Sequence, residues 1–450
     1  MSAFQSICPD CGKLVPAEYK RFGDAVYIVR NCPEHGESRI LASENADDFE
    51  RWTAFPSVTV PPRVPLTKGQ DKGDGSLCLT ECPLHCGPCE NHLMTACCVL
   101  LNVTERCNQR CPYCFADAGE GQDPPLVVIE KWLDRLIELG EERKFNIQLS
   151  GGEPTVREDL PEIIAMCKKK GFEYVQLNTN GRRIAESQAY AKTLKAAGLS
   201  TVFMQFDGVT DDVYIVLRGE PLIEIKKSAV QNCAAAGLPV TLVPTVLKNV
   251  NLKQTGAIIE FMLENIRTVK GVHFQPASFF GRKPETRNER GDYDERVTMF
   301  AVMDEIERQT NGRIKKKDLA PINTGHPLCC FCAAYMKERD GALRPLSGGG
   351  SCCESQDPLE IVRRDRDFVL NKWEAAEPDC CPAEPAAGET ILSLDDALAM
   401  FKSNMFTISG MAFMDETNLD AERLKRCRVQ VFSRDERLVP FCAYYSNRRE

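Results

Sequence analysis

From residue 97 to residue 278 the chain keeps one rhythm, in which short apolar runs alternate with longer amphipathic stretches. The runs 99–103, 146–149, 174–177, 202–206, 241–245 and 272–275 have strand length and composition. Between them, residues 125–139, 158–170, 187–197, 222–236 and 252–266 space their apolar positions for one-sided helices. Turn pairs Asn180-Gly181, Ala236-Gly237 and Lys270-Gly271 separate the pieces. This alternation constrains the fold to a parallel βα array, open or closed into a barrel, with right-handed crossovers. In both forms ligands gather at the carboxyl ends of the strands.

Chemistry-bearing residues fall at those ends. A loop with Cys107, Cys111 and Cys114 follows the first run, and Gly151-Gly152-Glu153-Pro154 follows the second. Thr179-Asn180-Gly181 follows the third and Asp207-Gly208 the fourth, while 245–249 and 275–278 end the last two. Four thiolates would close a tetrahedral or cubane site. Three on a four-iron cluster leave one iron open to a substrate or cofactor, here in the mouth of a barrel.

The chain holds 23 cysteines in 450 residues, with four adjacent pairs. Disulfide-dense chains are usually short and secreted. This one is long enough for a large core and begins without a basic-then-apolar signal segment, so a cytoplasmic protein with metal-bound thiolates is expected. Cys167 and Cys233, alone inside helical patterns, read as plain apolar core. The net charge of −9 gives no global field for nucleic acid, and no apolar run reaches membrane-spanning length.

Four regions are expected. Residues 1–55 carry CPDC and CPEHG, the spacing of a zinc ribbon or rubredoxin-like knuckle. Cys8, Cys11 and Cys32 are its ligands, the fourth is His35 or a cysteine from elsewhere, and softness does not choose between zinc and iron. Residues 56–96 combine a Pro/Gly/charge-rich linker with a second cysteine segment. Cys82, Cys86, Cys89 and Cys97 are assigned to an auxiliary cluster there, with Cys78 as the alternative fourth ligand. Residues 97–280 form the barrel, and 281–450 a cysteine-rich extension. In it Cys329, Cys352, Cys427 and Cys442 are candidates for a further cluster, the last two on the arms of a hairpin.

CNQRCPYCFA, with Tyr113 before the last cysteine, resembles the C-x3-C-x2-C signature of the radical S-adenosylmethionine (SAM) superfamily, and Gly151 to Pro154 resemble its GGEP motif. The resemblance implies an α/β fold with a partial (βα)6 TIM-like barrel. It implies that Cys107, Cys111 and Cys114 hold a [4Fe–4S] cluster whose fourth iron binds SAM. One electron would then release a 5′-deoxyadenosyl radical that abstracts hydrogen from a C–H bond. Gly151 and Gly152 would offer carbonyls to the methionine ammonium, with Glu153 adding charge. Asn180 and Gln205 would bind ribose or methionine carboxylate, Thr245 and Val246 the nucleoside, and Gln275 would be an inner contact. Alternative readings are a plain turn at Thr179 to Gly181, a helix cap at Asp207 and a structural His273.

The CPDC and CPEHG start, the cysteine block before the barrel, the HPLC segment and the terminal VPFCA are similar to the tetraether lipid synthase group. Its members include dihydro-hydroxymethylpterin methyltransferase-like proteins. That likeness implies C–C bond formation or methylation on a lipid or pterin, one or two auxiliary [4Fe–4S] clusters, and a ferredoxin- or flavodoxin-like reductant. A lipid substrate would bring peripheral membrane contact and need an apolar tunnel, for which residues 274–281 and 405–414 are candidates, with packed core the weightier reading of both. An iron–sulfur electron-transfer or scaffold protein would also want many thiolates, but not the GGEP segment. A zinc-dependent nucleic-acid modifier fits the acidic balance poorly.

Overall fold

A computed structural model describes residues 3–62, 87, 91–140, 144–283, 287–288, 292–346, 357–361 and 401–446. The N-terminal unit is a four-stranded antiparallel meander of β1 (Ala3–Ile7), β2 (Leu14–Phe22), β3 (Ala25–Cys32) and β4 (Gly36–Ser43). The helix Ala46–Thr53 follows, capped by the Asn45 side chain, which accepts from the Asp48 N–H. Its Phe49 and Trp52 pack on Phe300, and the Trp52 indole donates to the carbonyl of Pro327. Through these contacts the ribbon is seated on the rest of the protein.

The main sheet has a parallel core of β5 (Cys98–Thr104), β6 (Asn146–Gly151), β7 (Val175–Thr179), β8 (Thr201–Gln205), β9 (Val240–Val243) and β11 (Val269–Pro276); the two-residue β10 (Thr245–Val246) pairs beside β11. Helices Leu126–Leu139, Leu160–Lys169, Gln188–Ala196, Ile223–Ala235 and Thr255–Glu264 connect them. Side chains alternate as strand geometry requires. Val99, Leu101, Ile147, Leu149, Val202, Met204, Val272 and Phe274 join the outer core beneath the helices. Asn102, Gln148, Asn178, Gln205, His273 and Gln275 have the opposite parity and face the bore. Cys167 and Cys233 lie fully buried in the outer core.

The C-terminal region does more than extend this partial barrel. After β12 (Cys330–Lys337) and β13 (Leu343–Pro345), β14 (Met405–Met411) pairs parallel with β11, and β15 (Val429–Phe432) pairs parallel with β5 on the opposite edge. The parallel array therefore has eight strands, ordered β14-β11-β9-β8-β7-β6-β5-β15, with β12 and β13 outside β14 and β16 (Leu438–Pro440) outside β15. Residues 405–411, for which packed core outweighed a tunnel lining in the sequence, are a central strand whose Phe406 and Ile408 are buried in the outer core. Their β-branched and aromatic composition suits that place.

One further correction, and one helix that the sequence reading missed, concern local structure. Cys427 and Cys442 are not on hairpin arms: Cys427 precedes β15, and Cys442 lies in the helix Phe441–Ser446 after β16. The segment Asp211–Arg218 is helical despite its β-branched run. Acidic Asp211 and Asp212 occupy its first turn, and Gly219 at φ 86° ends it in the left-handed conformation.

Candidate active site

The cysteine loop leaves β5 at its carboxyl end and is tied down on every side. Asn180 donates from Nδ2 to Asn108 Oδ1 at 2.7 Å, and Gln109 Nε2 donates to Glu220 at 3.3 Å. Arg282 donates to the carbonyls of Cys111 and Ala118 at 2.9 and 2.8 Å, and its backbone exchanges two hydrogen bonds with Cys114. Arg218 donates to the carbonyl of Tyr113 at 3.1 Å, and its charge acts on the Cys111 thiol, opposing the rise that burial causes. Asp207, wholly buried, clasps Arg218 from below. Burial opposes the charge on Arg218, but Asp207 outweighs it and holds the guanidinium protonated. Arg218 gave no signal in the sequence reading because its helix was not recognised.

The paired glycines are needed for backbone approach. Gly151 adopts φ 122°, and a Cβ there would lie 2.0 Å from the Thr104 carbonyl oxygen; at Gly152 a Cβ would lie 2.2 Å from that of Arg106. The Gly152 and Glu153 N–H groups donate to these same two carbonyls at 2.9 Å. The GGEP turn is thus zipped to the start of the cysteine loop. Glu153 is buried, and its carboxylate accepts from the Thr155 N–H and hydroxyl, the Thr179 hydroxyl and the Asn180 N–H. It staples two strand-end loops together, a use the sequence reading did not anticipate.

Gln205 accepts from Lys226 Nζ at 3.1 Å, and the same ammonium donates to the Asn180 carbonyl at 2.6 Å. Lys226 is fully buried, and that burial lowers its pKa to about 8. Thr245 donates its N–H to Asp207 and accepts from Arg218 at the hydroxyl, while Val246 is buried in the outer core. Gln275 pairs with Thr245 in the short β10–β11 ladder and keeps partial exposure. Tyr113 packs edge-on against Phe279. Asp207 serves as neither turn nor cap: it is the anchor of Arg218.

Below these tips the bore combines polar side chains with a small apolar cluster of Tyr174, Phe203 and Val243. Gln148 and Gln176 both donate to Asn178 Oδ1, Asn178 donates to Ser150, and His273 Nδ1 lies 2.9 Å from the Ser409 hydroxyl with Phe203 beside its ring. Asn102 Nδ2 donates to the Tyr445 hydroxyl, while its Oδ1 and the Thr241 hydroxyl are buried without a hydrogen-bond partner among the described residues. A cavity of about 470 Å³ opens from Asn102 and the double glycine towards Phe115, Phe280 and Tyr445, with Asp117, Glu120, Lys283 and Glu416 on its rim. That is the size range of small-molecule sites.

The family model described as Radical SAM superfamily matches residues 101–262, which contain every one of these strand-end loops except the last. A 7,8-dihydro-6-hydroxymethylpterin dimethyltransferase of Methanocaldococcus jannaschii is 32% identical over 99% of this chain and 93% of its own. The chain belongs to the radical SAM superfamily. It is a radical SAM enzyme, and the superfamily domain brings with it a [4Fe–4S] cluster and SAM. The model described as HMPTM N-terminal zinc ribbon domain matches residues 1–44. An Fe-coproporphyrin III synthase of Methanosarcina barkeri is 32% identical over 42% of this chain and 46% of its own. Among solved structures, Streptococcus suis SuiB bound to its precursor peptide SuiA superposes loosely, with TM-score 0.40 and 13% identity over 71% of this chain and 72% of that one.

The donor set of this radical SAM enzyme suits a cluster. Burial pushes the Cys107 thiol up to about 12 and raises that of Cys111, so the thiols shed protons when metal binds. Arg218 beside Cys111 and Lys226 nearby supply positive charge for the resulting thiolates. In the ribbon, one donor atom each from Cys8, Cys11, Cys32 and His35 lie within 4.8 Å of one another. The hydrogen bond from His35 draws Cys32 down to about 6, so a thiolate forms readily there. Cys329, Cys427 and Cys442 converge around Arg423 below β14. Cys82, Cys86, Cys89 and Cys352, with Cys78, lie outside the described residues; Cys97, at the foot of β5, donates its N–H to the Arg428 carbonyl.

Proposed function

We propose that this radical SAM enzyme methylates a pterin-like heterocycle seated in the bore, with Cys107, Cys111 and Cys114 holding the SAM-binding cluster. The cluster with bound SAM supplies one-electron cleavage of the sulfonium and a hydrogen-abstracting radical. The chain's own residues do the rest. Arg218 and Arg282 hold the cysteine loop in register over the bore, and the glycine pair keeps it pressed to β6. The bore amides Gln148, Asn178, Gln205 and Gln275 keep partial exposure through which a polar ligand edge would bind.

One observation carries the choice of substrate: beside Phe203 and Val243, the bore holds the half-buried amides of Gln148, Asn178, Gln205 and Gln275 and the His273 imidazole. Buried polar atoms need partners, which a pterin edge provides and a lipid chain does not. Of the aromatic residues considered for a lipid tunnel, Phe279 and Phe280 line the cavity mouth, but each is packed against other rings and Phe274 is not in it. Phe274 lies under the helices, Phe279 stacks on Tyr293 at 4.0 Å, and Phe280 packs on Phe441 and Tyr445. The pterin named for the relative from Methanocaldococcus jannaschii supports the same reading.

The proposal extends to an auxiliary iron–sulfur centre on Cys329, Cys427 and Cys442, and to a mononuclear zinc or iron on Cys8, Cys11, Cys32 and His35. It includes a low-potential donor of the ferredoxin or flavodoxin kind and a cytoplasmic location. The test is anaerobic turnover with reduced pterins and with isoprenoid lipids, read by mass spectrometry with methyl-labelled SAM. A pterin gaining one or two CH2 units supports the reading, with the label reporting whether SAM or another one-carbon donor gives the carbon. Alteration of the lipid alone overturns it.

A further inference from the structure

Three buried guanidinium groups are clasped by carboxylates: Arg157 by Asp159, Arg218 by Asp207, and Arg296 by Asp292 and Asp415. Arg30 is not, and donates to the carbonyls of Ile7 and Thr417. Arg423 is buried to the same degree, with 7% exposure, yet no carboxylate lies within 4 Å of it among the described residues. Its nearest acid, Asp420, accepts from the backbone N–H groups of Glu422 and Arg423 and from the Tyr19 hydroxyl. The guanidinium itself donates to the Ala412 carbonyl at 2.8 Å and to the Cys329 Sγ at 3.4 Å.

Three thiols gather at this cation from separate elements. The Cys329 carbonyl accepts from the Ala412 N–H, Cys442 Sγ accepts from the Met414 N–H at 3.2 Å, and Cys427 closes the helix Ala421–Lys425 that carries Arg423. All three are in electrostatic reach of Arg423 and of one another. Asp420 acts on this charge at a distance, but no carboxylate of the described residues touches the guanidinium. Thiolates on a metal centre would supply negative charge in direct contact with it. An N–H donor and a positive charge beside a cluster sulfur also favour the reduced state.

We propose that Arg423 is the counter-charge of an auxiliary iron–sulfur centre on Cys329, Cys427 and Cys442, and that it holds the reduction potential of that centre up. The inference rests on the auxiliary centre of the proposed function. Tyr19 of the ribbon fixes Asp420 at the foot of the same helix, so ribbon seating and the position of this arginine are coupled.

The test uses the full chain, reconstituted anaerobically, with EPR-monitored redox titration and iron analysis of the wild type, Arg423→Gln, Arg423→Lys and Cys442→Ala. Cys442→Ala is expected to lose the iron and signal of one cluster. Arg423→Gln is expected to lower that cluster's one-electron reduction equilibrium about tenfold, about 59 mV, with Arg423→Lys nearer the wild type. If Arg423→Gln fails to hold the cluster while Arg423→Lys holds it, counter-charge is again supported. A cluster lost in Cys442→Ala but with unchanged potential in both Arg423 variants overturns the role of Arg423 and leaves the auxiliary centre standing. Full iron in Cys442→Ala overturns the centre and the inference together.

Discussion

Arg218 grips Asp207 through two parallel bonds of 2.8 Å, and the same guanidinium donates to the carbonyl of Tyr113 and to the Thr245 hydroxyl. A buried ion pair thus forms the floor on which the cysteine loop rests. Replacing Arg218 by Met removes the only charge paired with buried Asp207 among the described residues, leaving it the Thr245 N–H, which should destabilise the protein by about 3–5 kcal/mol. The double variant Arg218→Met with Asp207→Asn should recover much of that stability but not the loop's support. Urea denaturation of the apo chain and iron content after reconstitution separate the two effects.

The double glycine gives a sharper prediction. Gly151→Ala places a methyl 2.0 Å from the Thr104 oxygen at a backbone angle that L residues rarely adopt. The β5 and β6 ends must part, and misplacement on that scale should lower 5′-deoxyadenosine formation about a hundredfold. Gly312→Ala is the control: its φ of 73° is also positive, but its Cβ meets nothing within 4 Å. Its SAM cleavage should equal that of the wild type.

The six central strands were legible because hydrophobic runs of strand length alternate with one-sided helices, and because the strand-end polar motifs kept that beat. The outer parallel strands β14 and β15 were not, since they return from far along the chain and nothing local encodes a pairing partner. Within the site, the cysteines and glycines stood out by spacing. Arg218, Lys226 and Arg423 did not, because one cation in an amphipathic helix looks like any solvated one until the packing shows it buried. Glu153 was legible as a motif member but not as the staple between Thr155, Thr179 and Asn180.

His326 should make stability depend on acid. Burial and the charge of Arg423 lower its pKa to about 3, and its Nδ1 accepts from the Leu328 N–H. Between that value and the unfolded value near 6.5, the unfolded chain binds the proton and the folded chain does not. Stability is therefore present at neutral pH and is lost as pH falls through the window. At pH 5 the loss relative to pH 8 should be about 2 kcal/mol from this residue. His326→Asn keeps a cap acceptor and removes the titration, so denaturation curves at the two pH values should differ less by that amount.

Metal removal should act first on the ribbon. Its donors, Cys8, Cys11, Cys32 and His35, are mutually close and sit at the turns between antiparallel strands. Cobalt-loaded protein should show the intense visible bands of tetrahedral thiolate coordination, and Cys32→Ser should lose them with one equivalent of metal. Elemental analysis of the purified protein decides between zinc and iron. Persistence of the bands in Cys32→Ser would contradict the assigned ligand set.

The most direct measurement is 5′-deoxyadenosine and methionine release from SAM by the reconstituted, reduced protein, with and without a reduced pterin, compared with Cys111→Ala of equal folding by circular dichroism. The account predicts that the wild type releases both products, that pterin speeds the release and gains methyl groups, and that Cys111→Ala releases neither. Undiminished cleavage in Cys111→Ala, or no cleavage by fully loaded wild type, would contradict it.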